Sequence, residues 1–119
     1  MVKKVEPATK DMLFGSQDAV EVELETLGGK IVKVKPLTLS DLSAIRKYSK
    51  GDDVEFVKGM IFRGLVEPKL TIEEVGNLRL DIVNELSSHI ARVSGLTKGS
   101  MEEIKNFSDT LMKQKLSGQ

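Results

Sequence analysis

Apolar and polar residues alternate strictly near the start of the chain. Val20, Val22 and Leu24 are interleaved with Glu21, Glu23 and Glu25, and after Gly28-Gly29 the alternation resumes with Val32 and Val34 between Lys33 and Lys35. A period of two marks a half-buried strand and a glycine pair marks a turn, so residues 20–35 are predicted to form a β-hairpin. Its register follows from keeping the apolar side chains on one face. A two-residue Gly28-Gly29 turn pairs Leu27 with Lys30 and sets Val22 opposite Lys35, which mixes the faces. A three-residue loop, Leu27-Gly28-Gly29 with a glycine in the left-handed conformation, pairs Thr26 with Lys30 instead. Leu24 then faces Val32, Val22 faces Val34, and the exposed side pairs Glu23 with Lys33 and Glu21 with Lys35. The three-residue loop is the expectation. Because an isolated hairpin is marginal in water, its apolar face must pack on helices or on another subunit's strand.

Beyond Pro36 the apolar period lengthens from two to between three and four. Thr38 is placed as an N-cap with Asp41 in the positive first turn, and Leu42, Ile45 and Tyr48 follow at helical spacing until Gly51. This predicts a helix over about 39–50. A second helix, about 53–66, carries the stripe Val54, Val57, Ile61 and Leu65, with Phe56, Met60 and Phe62 lying off it; it should break before Pro68. Thr71-Ile72-Glu73-Glu74 is a capping box that opens a third helix over 72–94, striped by Val75, Leu78, Ile82, Leu86, Ile90 and Val93. Gly76-Asn77 offers a break or kink between residues 75 and 79, and Gly95 closes the helix with Leu96 behind it. Ser100-Met101-Glu102-Glu103 repeats the capping logic for a fourth helix, about 101–115, with Met101, Ile104, Phe107 and Leu111 on one side. Residues 1–19 lack a period; they form either a mobile arm or a short docking segment that engages a partner through Phe14. Residues 117–119 are a frayed tail. The expected fold class is α+β and mainly α: one domain over 20–116, with an N-terminal β-hairpin followed by about four helices packed as a small bundle.

Composition narrows the function more than the fold. At 119 residues the chain can bury roughly two-thirds of its unfolded surface without staples. It has no cysteine, which rules out disulfides and thiolate metal sites. The 18 basic and 18 acidic residues cancel, so no global field draws a polyanion, and nucleic-acid binding is not expected. No apolar run reaches the ~18–20 residues of a membrane span, and no apolar stretch of a signal peptide follows Met1-Val2-Lys3-Lys4. The single histidine, His89, has no partner ligands at metal-site spacing and no nucleophile elbow to serve. Glu73-Glu74, Glu102-Glu103 and Asp52-Asp53 all fall in helix first turns, where the dipole explains them. Gly28-Gly29 belongs to no phosphate-loop motif. The expectation is a non-enzymatic protein with no catalytic residue, cofactor or metal.

The order of short motifs carries a further signal. Leu27-Gly28-Gly29-Lys30 enters a strand ending in Lys35-Pro36-Leu37-Thr38-Leu39; Gly64-Leu65-Val66-Glu67-Pro68-Lys69-Leu70-Thr71 joins two helices; Ile90-Ala91-Arg92-Val93-Ser94-Gly95-Leu96 ends the second. From about residue 22 to 107 the chain resembles the tail assembly chaperones of long-tailed bacteriophages and their prophage relatives. The resemblance implies a protein of the host cytoplasm that coats the tape-measure protein, keeps it soluble and helps recruit tail-tube subunits. A surplus of apolar helix surface and an open hairpin edge favour self-association. Candidate partner contacts are Phe14, Phe56, Met60, Phe62, Met101, Phe107 and Met112, each of which could equally fill the core. Two other readings stand beside this one: a structural virion protein of the tail tube or head–tail joint, and a small helical DNA-binding regulator.

Overall fold

The computed structural model describes residues 6–96. The fold is α+β and mainly helical: α1 (Lys10–Phe14), β1 (Val20–Leu24), a 3-10 turn (Glu25–Leu27), β2 (Lys30–Val34), α2 (Leu39–Ser49), α3 (Asp53–Gly64), β3 (Leu65–Glu67), α4 (Ile72–Val75) and α5 (Leu80–Val93). The expected helix over 101–115, and with it Met101, Phe107 and Met112, lies outside the described residues.

The hairpin forms where the alternation placed it, but with a longer loop. Val22 pairs with Val32, Val20 with Val34 and Leu24 with Lys30, so residues 25–29 all belong to the turn. The register is therefore two residues away from the expected one. A shift of two leaves every side chain on its own face, and Val22, Leu24 and Val34 are indeed buried. The cause is tertiary. The turn amides of Glu25 and Thr26 donate to the Glu85 carboxylate on α5, at 2.5 and 3.1 Å, an anchor that local turn rules do not contain. Gly28 and Gly29 close the turn at φ 67° and 87°, conformations that favour glycine. Lys33 pairs with Glu67 at 3.6 Å rather than with Glu23.

Glu67 belongs to a third strand that the helical stripe concealed. The helix predicted to run to residue 66 stops at Gly64, and Leu65–Glu67 add antiparallel to β2 in the order β1-β2-β3. Pro68 biases its predecessors toward extended backbone, and the Lys35 amide donates to the Gly64 carbonyl at 2.9 Å, fixing the junction. The helix expected over 72–94 is likewise divided. Thr71 and Glu74 make their capping box, but Gly76-Asn77 ends α4 and α5 begins at Leu80 after the extended Arg79.

The core lies between the sheet and the helices, with α3 touching α2, α4, α5 and β3. The predicted α3 stripe holds at its C-terminal end, where Ile61 and Leu65 are buried, and fails at its start, where Val54 is 69% exposed and Phe56 and Met60 enter the core instead. Glycines mark where α3 meets its neighbours. A Cβ on Gly59 would stand 3.1 Å from Ile45 of α2, and one on Gly64 would stand 2.8 Å from Ile90 of α5. These glycines add nothing to an apolar stripe, yet side chains of both neighbouring helices pack against them.

Polar groups lock the remaining joints. Thr38 and Asp41 cap α2 reciprocally, and the second oxygen of Asp41 accepts from Arg63 Nε of α3 at 3.0 Å. Burial opposes ionisation of Asp41. The bonds from the Thr38 backbone, Arg63 and the Thr38 hydroxyl outweigh it, with Lys35 nearby, and hold the carboxyl below its usual range. Ser94 Oγ accepts from the Leu37 amide at 2.8 Å and donates to the Ile90 carbonyl at 2.7 Å, tying the start of α2 to the end of α5.

Gly64→Ala should destabilise the chain by about 1–3 kcal/mol, because Ile90 is fully buried and cannot retreat. The double variant Gly64→Ala/Ile90→Val should recover part of the loss. Thermal melts of the two variants check this; a Gly64→Ala protein as stable as the parent would mean the helices separate freely.

Candidate partner-binding groove

Among the described residues, no group of three or more His, Asp or Glu side chains comes together as a metal site. No helix among them is long and apolar enough to cross a membrane. What the helices do build is a groove of about 1150 Å³ between α3, α4 and α5.

Its walls follow from the two helix patterns. On α5, the residues Ile82, Leu86 and Ile90 face the core. The adjacent row Val83, Ser87 and Ala91, spaced four apart, is turned toward the groove. On α3, Phe56 faces the core, which leaves Val54 and Val57 on the groove side, above Met60 and Ile61 at the floor. The break between α4 and α5 contributes Val75, Gly76, Leu78 and Leu80. Leu80, 79% exposed, and Val54 form apolar lips, while Lys58 and Arg92 place positive charge at the margin. Small side chains along Val83-Ser87-Ala91 leave room for another backbone to approach closely. The arrangement has the shape and chemistry of a receiver for one amphipathic helix.

The residues singled out from the sequence are not brought together. Phe56 and Met60 are core residues, 7% and 1% exposed; Met60 reaches the floor of the groove and Phe56 does not line it. Phe62 is 40% exposed but does not line the groove. Phe14 is exposed at the end of α1, a helical turn capped by Thr9 in a segment where no helix was predicted. The groove residues Val54, Leu80, Val83 and Ala91 were not among those candidates. A signal for them existed: the Val83-Ser87-Ala91 row runs parallel to the core stripe one residue away.

A second, polar cluster lies where α5 meets the hairpin. His89 Nε2 is 3.0 Å from the Glu23 carbonyl, and Arg92 Nη2 is 2.7 Å from His89 Nδ1. The guanidinium can only donate and the carbonyl can only accept, so the imidazole carries its hydrogen on Nε2. One turn earlier, Glu85 holds the hairpin turn. Partial burial works against its charge, but bonds from Thr26 and the Glu25 amide, with His89 nearby, keep its carboxyl below the usual range. His89 is thus a structural clasp between α5 and β1. Comparison with known proteins gives no family model, curated protein or solved structure that matches this chain.

The lowered acidity of Glu85 sets a direction for pH dependence. Its anchoring of the turn is present above the ordinary carboxylate value and is lost as pH falls through the lower folded value. Protection of the Glu25 and Thr26 amides, taken relative to the intrinsic exchange rate at each pH, should therefore fall on acidification. In Glu85→Gln that protection should already be low at neutral pH and lose its acid dependence. Unchanged exchange in the variant would separate the loop from the carboxylate.

Proposed function

We propose that this chain is a tail assembly chaperone of the long-tailed phage type. It acts without catalysis in the host cytoplasm, capturing helical stretches of the tape-measure protein, keeping that client soluble and helping to recruit tail-tube subunits. The observation that supports the reading is the apolar groove between α3 and α5. A tape-measure protein is long and helical, and a helix-in-groove receiver engages such a client through apolar residues at helical spacing without a fixed sequence. The order of motifs from residue 22 to 107 supports the same assignment. Coating a long client favours many copies side by side, so self-association belongs to the proposal.

Co-expression with a tape-measure protein should keep the client in the soluble fraction as a complex that elutes with this chain. Val54→Asp and Leu80→Asp change exposed lip residues and should leave the fold intact while weakening capture by about tenfold or more. Phe62→Asp, on exposed surface outside the groove, should leave capture unchanged. An insoluble client with no eluting complex would remove the proposal. Loss of capture in Phe62→Asp alone would move the contact to the other side of α3.

A further inference from the structure

We infer that the groove receives the N-terminal arm of a second copy of this chain: the apolar turn Met12-Leu13-Phe14 of α1 enters between the lips Val54 and Leu80 of its neighbour. This deepens the self-association in the proposed function and uses the same groove, but it requires no client.

Two unpartnered apolar surfaces on one chain carry the inference. The first is α1, whose shape is set locally. Thr9 accepts from the Met12 amide, Asp11 stands in the positive first turn, and Gly15, at φ 59°, ends the helix by donating back to the Asp11 carbonyl. Among the described residues, the hydrogen bonds of residues 9–18 all close within that segment. Met12, Leu13 and Phe14 are 70%, 79% and 63% exposed. The turn is thus preformed, adds nothing to the core of its own chain, and presents a run of large apolar side chains to water, the mark of a contact surface. The second surface is the groove, whose lips Val54 and Leu80 are equally uncovered.

The charges around the two surfaces are complementary. Residues 6–18 carry Glu6, Asp11 and Asp18 against Lys10, whereas Lys58 and Arg92 outnumber Asp53 in the groove lining. Opposite signs favour encounter and fix orientation. The exposure of α1 shows that it stands clear of its own groove. Gly15–Ala19, five residues, give it a reach of roughly 17 Å from β1 toward an adjacent copy. Arm and groove are different surfaces, so each copy can give one arm and take another. Such a head-to-tail contact closes into rings or extends into open chains. A client helix takes the place of a neighbour's arm, which couples client loading to release of that arm.

Sedimentation of the full-length protein over a range of concentrations reads this contact. The parent should associate reversibly. Phe14→Asp removes the donor and Val54→Asp/Leu80→Asp removes the receiver, and each should raise the dissociation constant by about tenfold or more. Mixing the two variants should restore association but only as single pairs, because the intact arm of one meets the intact groove of the other. A parent that stays monomeric, a Phe14→Asp protein that associates like the parent, or a mixture without pairs would each overturn the docking. Phe14→Asp keeps its groove, so client capture by that variant is decided separately, and failure of the arm contact leaves the proposed function to its own test.

Discussion

Helix α3 can serve as the centre of this fold only because two of its residues have no side chain. Gly64 admits Ile90 at a distance that a methyl group would deny, and Gly59 admits Ile45 where a methyl group would be tight. At interhelical separations of ~8–10 Å, large residues on both partners would interlock and hold the axes further apart. Here the bulk comes from α2 and α5 alone, and Phe56, Met60 and Ile61 fill the space beside the contacts. Everything downstream inherits that spacing. The Gly64 carbonyl receives the Lys35 amide, β3 leaves α3 in register with β2, and α5 lies over the sheet close enough for Glu85 to reach the hairpin turn.

This also explains why the sequence was legible in some places and not in others. Alternation revealed both strands of the hairpin and the common face of their valines, since a period of two survives any even change of register. The stripe Val75, Ile82, Leu86 and Ile90 was legible because those residues meet the core through their own bulk. On α3 the same reading was right for Ile61 and Leu65 and wrong for Val54, since Phe56 and Met60 fill the core beside contacts made at glycines. The hairpin loop was misjudged because Glu85, sixty residues later, supplies acceptors to its amides. The short β3 was hidden by Leu65, whose spacing continues a helical stripe although its backbone is extended.

The groove was the least legible feature. Its walls come from four separate stretches; of its most exposed members, Val54 reads as a stripe residue and Leu80 lies off the stripe of its helix. The large residues that drew attention, Phe56 and Met60, are those the core claims first. A groove on a small helical domain is lined by what remains after the core has been filled. Here that remainder is small and aliphatic, not aromatic.

The clasp of His89 on Glu23 carries one more consequence. The Leu24 carbonyl points to the turn and to β2, where it accepts from Gly29, so the Glu23 carbonyl beside it faces outward from the sheet. That outward acceptor is already taken by the imidazole, and the amides just beyond it by Glu85. An incoming strand would find its first rungs occupied at this end of β1, which works against zipping along the strand. A sheet edge is blunted here by two side chains of a helix rather than by a charge or a proline on the strand itself.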